Sequence, residues 1–208
     1  MSDATYSTPQ EAFWAGEFGN DYISRNKSQG LLAANFSFFS RIFEKTDQLG
    51  SIIELGCNVG MNLRAIRALQ PEARLAGVEI NSEAASHLSD IPELEVYQES
   101  LLGFQADKPF EFTFTKGVLI HINPDSLPQA YKALYDNSCR YICVAEYYNP
   151  TPVSLSYRGH ADRLFKRDFA GELLETYSDL HLVDYGFAYH RGPFPQDDIT
   201  WFLLEKKS

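Results

Sequence analysis

Apolar positions change period several times along the chain, and each change marks an element. Between residues 9 and 45 the spacing of Leu31, Leu32, Phe36, Phe39, Ile42 and Phe43 is helical, and Pro9 suits a helix start, so 1–48 is predicted to form a helical cap ahead of the core. Ile52, Ile53 and Leu55 then make a short apolar run suited to a buried strand, and Leu63, Ile66, Ala68 and Leu69 return to the helical period. Strand-like runs at 74–79, 94–97, 111–115 and 140–145 follow, interleaved with helical ones at 82–88 and 124–135. Such alternation predicts a mostly parallel sheet with helices on both faces. The last two runs, 181–189 and 199–204, are joined by a link too short for a helix and are expected to pair antiparallel. The expectation is one α/β domain over 1–208, with its core at 49–208: seven strands, mostly parallel, ending in an antiparallel hairpin.

Length and composition agree with this picture and narrow the partners. The 208 residues are 44% apolar, enough for one well-packed domain. Eighteen basic against 28 acidic residues leave a formal charge of −10, which opposes binding to a phosphate backbone, so nucleic acid is not expected as a partner. The first nine residues are polar and no run reaches the roughly 18 apolar residues of a membrane span, which predicts a soluble, cytoplasmic protein without a membrane partner. Cys57, Cys139 and Cys143 lie in apolar, strand-like surroundings without a CxxC pair or neighbouring histidines, so buried free thiols are expected and a metal site is not.

The chemistry concentrates where the first strand meets its helix. Ser51 is followed by IIELGCNVGMN, an apolar run that ends in Glu54 and enters a turn carrying Gly56, Asn58 and Gly60. Glycine and asparagine tolerate positive φ and let the backbone turn sharply against a ligand. A dinucleotide fingerprint starting at Gly56 needs glycines where Asn58 and Met61 stand, and a P-loop needs Gly-Lys-Ser/Thr, so neither pattern is met. The loop resembles motif I of class I S-adenosylmethionine-dependent methyltransferases, with the middle glycine replaced by Asn58. A second acid, Glu79, ends the next strand near the separation of about 20 residues expected of a ribose-binding carboxylate. Ile80 then flanks the adenine. On this reading Glu54, Gly56, Asn58, Gly60, Asn62, Glu79 and Ile80 contact the cofactor, S-adenosyl-L-methionine. Tyr22 and Arg25, in the aromatic stretch FWAGEFGNDYISRN, add a ring and a carboxylate fork. Glu99 or Ser100, after the third strand, stands where methyltransferases place an acid against the adenine amine. Lys116, Gly117, Leu119 and His121, at the carboxyl end of the fourth strand, face the region of the sulfonium.

An acceptor site is expected further along. From 158 to 167 four cations, Arg158, Arg163, Lys166 and Arg167, against Asp162 give +3 inside a chain of −10. With Tyr147, Tyr148, Asn149 and Tyr157, and with Tyr189 and Arg191 after the sixth strand, they compose an acceptor-binding insertion around 147–168 suited to an anion. His121, His160 and His190 are the candidate proton acceptors.

Taken together, FWAGEFGNDYISRN, IIELGCNVGMN, FTKGVLIHINPD, EYYNPTPV, YRGHADRLFKRDFAGE, VDYGFAYHR and DDITWFLLEK resemble the pseudaminic acid biosynthesis-associated methylase family across essentially the whole chain. The resemblance implies a Rossmann-like class I methyltransferase fold, S-adenosylmethionine as cofactor, and a sugar or nucleotide-sugar acceptor, anionic if it is a nonulosonic acid. Two other classes are weighed against it. A nicotinamide oxidoreductase fits the strand, loop and helix but fails at Asn58 and Met61. A methyltransferase for another small molecule, or a non-catalytic cofactor-binding partner protein, fits the same binding residues.

Overall fold

The computed structural model describes residues 6–23, 28–157 and 159–207, with the backbone alone for 160–162. Three helices open it: α1 (Pro9–Ala15), α2 (Glu17–Ile23) and α3 (Gln29–Phe43). Thr8 caps α1 in a reciprocal capping box with Glu11, and Pro9 takes the first helical position, where a missing N–H costs nothing. The core then alternates β1 (Ser51–Leu55), α4 (Met61–Leu69), β2 (Arg74–Val78), α5 (Ser82–Ser86), β3 (Leu94–Tyr97), β4 (Phe110–Lys116), α6 (Leu127–Asp136) and β5 (Ser138–Glu146). After it come β6 (Val153–Tyr157), β7 (His160–Lys166), α7 (Phe169–Thr176), β8 (Leu180–Ala188) and β9 (Ile199–Lys206).

Seven strands form one sheet in the order β3-β2-β1-β4-β5-β9-β8. Neighbours from β3 to β5 run parallel, while β9 lies antiparallel to both β5 and β8, which is the predicted closing hairpin. The sheet is covered on both faces. Ile53 and Leu55 of β1 pack toward Leu127 and Leu134 of α6 and Leu173 of α7, whereas Ile52 packs toward Phe39 and Ile42 of α3 and Leu63 and Ile66 of α4. The period of two places Glu54 on the face of Ile52, beneath α3 and α4. From β1 the chain crosses first to β2 and later returns to β4 on the other side, so the carboxyl ends of β1 and β4 splay a crevice between them.

Within the segment around 147–168, β6 and β7 pair antiparallel as a two-stranded sheet, and α7 follows. Two expectations need correcting. The helix expected at 82–88 ends at Ser86 and tightens into a 3₁₀ turn at His87–Asp90. Cys139, near the start of β5, is exposed, while Cys57 and Cys143 are buried free thiols.

Polar links fasten the opening helices over the crevice. Asn81 donates through Nδ2 to Trp14 O at 3.1 Å and Asn20 Oδ1 at 2.7 Å, while its Oδ1 caps α5 by accepting from Ala84 N. Ser100 Oγ donates to Glu11 Oε1, and Asn123 Nδ2 donates to Gln10 Oε1 at 3.5 Å. At Gly19 a Cβ atom would lie 1.9 Å from Trp14 O, so this close crossing admits only glycine. No helix among the described residues is long and apolar enough to cross a membrane.

Candidate functional site

The crevice at the carboxyl ends of β1, β2 and β4 opens into a cavity of about 440 Å³, roofed by α1, α2 and α3. That volume is within the usual range for small-molecule sites, roughly 300–1,000 Å³. Its floor is the β1–α4 turn. Gly56 has φ +82°, and a Cβ there would meet Val118 Cγ2 at 2.8 Å; Asn58 takes positive φ as well and accepts Val59 N on its own Oδ1. Gly60, at φ +75°, caps α4 without a side chain to accept from its first turn, so the helix presents Met61 and Asn62 to the cavity with free N-terminal amides.

Two carboxylates meet this turn in different states of satisfaction. Glu79 accepts Asn58 N on Oε2 at 2.7 Å and Asn81 N on Oε1 at 2.8 Å, which fixes its position at the end of β2. Burial raises its pKa, and the backbone amides oppose the rise. Glu54 is 1% exposed; its Oε1 accepts Asn62 Nδ2 at 2.5 Å, but Oε2 is buried without a partner. Burial pushes its carboxyl up to about 8, with Asn62 and Lys116 pulling the other way. The same burial pushes the Lys116 ammonium down, chiefly against the pull of Glu54. Lys116 Nζ donates to Asn35 Oδ1 at 3.2 Å, and Gln196 Nε2 donates to the same oxygen at 3.1 Å. This leaves Asn35 Nδ2 as a second buried atom without a partner, a donor opposite in sense to Glu54 Oε2. Among the described residues the wall thus offers one unmet acceptor, Glu54 Oε2, and two unmet donors, Asn35 Nδ2 and Trp14 Nε1, each costing roughly 1–3 kcal/mol when unpaired.

A third buried carboxylate shapes the adjoining loop. Glu146, at the end of β5, accepts Val118 N and Leu119 N on Oε1 at 3.1 Å each and Ile120 N on Oε2 at 3.4 Å. Burial raises it to about 7 against those amides. The loop so held delivers His121, whose Nδ1 donates to Arg163 O of β7 at 2.6 Å. That bond fixes the tautomer with Nε2 as an acceptor, and burial lowers the ring to about 4, keeping it neutral. Trp14 and Tyr157 pack on the ring with centroids at 4.6 and 4.9 Å. The β6–β7 hairpin is therefore what sets the orientation of His121.

Of the residues singled out from sequence, Tyr22, Glu54, Gly56, Asn58, Asn62, Glu79, Ile80, Glu99, Ser100, Lys116, Gly117, His121, Tyr147 and Tyr157 line the cavity. Gly60 does not: a Cβ there would strike Ile91 and Leu88, so it serves the turn and its packing. Leu119 belongs to the core beneath. The expected cationic patch is dispersed. Arg167 Nε donates to Glu172 Oε1 at 2.6 Å, the Arg163 guanidinium lies 5.1 Å from the Phe13 ring centroid, and Lys166 lies 5.1 Å from that of Tyr147. Tyr148 is exposed beside Phe202, and Asn149 turns back to Thr151. Tyr189, His190 and Arg191 form an exposed group of their own, with His190 Nδ1 paired to Asp198 at 2.8 Å and Arg191 Nε on His190 Nε2. Arg25, Arg158 and the side chain of His160 lie outside the described residues.

Asn35, Asn81, Gln196, Asp197, Trp14 and Glu11 were not singled out as wall residues from sequence, nor was Glu146 as the brace beneath them. Asn81 alone carried a usable signal, an asparagine directly before a short helix and two residues after Glu79.

No protein-family model matches the sequence, and no curated protein does. Solved structures do match over nearly the full length. The Burkholderia thailandensis 1,6-didemethyltoxoflavin-N1-methyltransferase, crystallised with its substrate and S-adenosylhomocysteine, superposes with a TM-score of 0.70 at 14% identity, covering 99% of this chain and 93% of its own. A sugar N-methyltransferase from Streptoalloteichus gives 0.68 at 13% identity, over 100% and 98%. Magnesium protoporphyrin IX methyltransferase from Synechocystis, with bound S-adenosylmethionine, gives 0.67 at 10% identity, over 98% and 100%. The chain has the Rossmann-like fold of the class I S-adenosylmethionine-dependent methyltransferases.

Proposed function

We propose that the protein is a methyltransferase that binds S-adenosyl-L-methionine in this cavity and transfers its methyl group to a small molecule. The observation that carries the reading is the pair of unmet polar atoms, Glu54 Oε2 and Asn35 Nδ2, on the wall above the Gly56 turn. The amino-acid end of the cofactor brings an ammonium and a carboxylate, the two groups such a pair lacks, with Lys116 as the adjacent cation. Glu79, already anchored by two backbone amides, keeps lone pairs for a ribose diol, while Ile80 with Glu99 or Ser100 adjoins the adenine. When bound, the cofactor supplies a methyl group on a sulfonium centre. The chain's part is to align the acceptor, exclude water beneath α1 and α2, and receive hydrogen bonds at His121 Nε2.

The finer reading, a sugar or nucleotide-sugar acceptor in nonulosonic acid biosynthesis, rests on the family resemblance and on a sugar N-methyltransferase among the similar structures. Its anionic form has little to hold it here, since Lys116 is the one cation on the wall among the described residues. The test of the general reading is calorimetry with S-adenosylhomocysteine and with NAD. Binding of the first and not the second is expected, and the reverse order removes the proposal. Mixing the protein with radiolabelled S-adenosylmethionine and nucleotide sugars then separates an enzyme from a non-catalytic binding partner.

A further inference from the structure

The part of the cavity beyond the Gly56 turn and Glu79 is walled by aromatic rings set at angles to one another. Trp14 and Tyr22 meet edge to face at 5.3 Å between centroids, and Tyr157 closes the far side 6.5 Å from Trp14. His121 sits between Trp14 and Tyr157, 8% exposed, with Nδ1 committed to Arg163 O and Nε2 without a bond. Among the described residues five carboxyl groups reach the wall, Glu11, Glu54, Glu79, Glu99 and Asp197, against one ammonium, that of Lys116. A bound sulfonium donor adds one positive charge, which leaves the wall an excess of acid when its groups are ionised. Faces of electron-rich rings and a surplus of carboxylates favour a cation and disfavour an anion.

We propose that the acceptor is an amine, held between Trp14, Tyr22 and Tyr157 with an N–H on His121 Nε2, and that the product is its N-methyl derivative. This rests on the methyltransferase reading above. An amine arriving as R–NH3⁺ first gives one proton to solvent. The nitrogen lone pair then forms the bond to the methyl carbon as the carbon–sulfur bond breaks, its electron pair remaining on sulfur. The product leaves as R–NH2⁺–CH3, so charge balances and no strong base is required. A hydroxyl acceptor must instead lose its proton during attack, and a histidine that burial holds neutral and weakly basic is poorly suited to take it. His121 acts here as a hydrogen-bond acceptor that aims the lone pair.

The test uses the full chain saturated with S-adenosylhomocysteine and two sets of congeners: glucosamine, glucose and glucuronate, and benzylamine, benzyl alcohol and benzoate. Affinities are read by saturation-transfer NMR competition. In at least one set the amine is expected to bind about tenfold tighter than the alcohol and tighter still than the carboxylate, the scale of a cation–π or partly buried charge contact. Asp197→Asn and Tyr157→Ala should each weaken the amine several-fold and leave S-adenosylhomocysteine affinity unchanged. Carboxylates binding as well as amines, or no amine binding to the loaded protein, overturns the proposal. Failure of S-adenosylhomocysteine itself to bind sinks the underlying reading instead, and the two failures are separately visible. Trideuteromethyl transfer from labelled S-adenosylmethionine to the bound amine, located on nitrogen by tandem mass spectrometry, completes the result.

Discussion

Replacing Glu146 by alanine should destabilise the protein in a manner that depends on pH, and the sign of that dependence follows from the structure. The wild-type carboxylate accepts three consecutive amides from the loop after β4, two at 3.1 Å and one at 3.4 Å. Hydrogen bonds to a charged acceptor are worth roughly 1.5–3 kcal/mol each, so the two shorter ones amount to about 3–6 kcal/mol. Burial outweighs them: the net rise of the carboxyl from 4.5 to about 7, amides included, corresponds to about 3.4 kcal/mol, at about 1.4 kcal/mol per pH unit, against the ionised form. The native state therefore binds more protons than the unfolded chain between pH 4.5 and 7. The Glu146 contribution to stability is present in full below pH 4.5, falls as pH rises to 7, and is level above that. The alanine variant lacks this slope. The loss of unfolding free energy in Glu146→Ala should be about 2–3 kcal/mol larger at pH 5 than at pH 8. Guanidinium unfolding of both proteins at the two pH values, followed by circular dichroism, measures it, and every other titrating group cancels in the difference. A loss that is independent of pH, or larger at pH 8, would mean that the amides outweigh burial and that the carboxyl is an ordinary ionised brace. At pH 8 the loosened loop should also weaken S-adenosylhomocysteine binding by about tenfold, an effect of about 1.4 kcal/mol.

Four further outcomes test the site and its setting. Glu79→Ala should fold and bind S-adenosylhomocysteine at least tenfold more weakly by calorimetry, since charge-assisted bonds of roughly 1.5–3 kcal/mol each are lost; unchanged affinity removes Glu79 from the site. Because burial holds the Glu54 carboxyl up to about 8, the native state carries its proton at pH 6–7, and a cofactor ammonium at Oε2 should expel it. Calorimetric enthalpies in phosphate and Tris should then reveal release of up to one proton, and uptake or no exchange contradicts the assignment. With its ring lowered to about 4 from 6.5, neutral His121 adds stability that is complete above pH 6.5 and is lost as pH falls toward 4. Imidazole ¹⁵N shifts should show a neutral Nδ1–H tautomer at pH 6, and a protonated ring there refutes it. Finally, Gly19→Ala should lower stability by roughly 1–3 kcal/mol in thermal unfolding, as overpacking does, although alanine is the better helix former.

Features that depend on neighbours along the chain were legible before the fold was known. The run Ile52, Ile53, Leu55 followed by Gly56, Asn58 and Gly60 announces a strand and a turn at positive φ, because those conformations are set by side-chain bulk at single residues. Glu79 was legible for a related reason: one strand, turn and helix place the end of β2 beside the end of β1, so a fixed count of residues brings its carboxylate to Asn58. Glu146 and the Asn35, Lys116 and Gln196 cluster had no such local signature. Their partners lie 26 to 161 residues apart, and only the packing of α3, the closing hairpin and the sheet edge brings them together. The basic run at 158–167 shows the same limit from the other side. Its local charge of +3 was read correctly, but tertiary structure places Arg167 against Glu172, Arg163 against Phe13 and Lys166 against Tyr147, so these three cations are not among the wall residues, while among the described residues acids from five separate segments gather there. Net charge along a chain adds by sequence, whereas the field in a cavity adds by distance, and distance is what the fold alone decides.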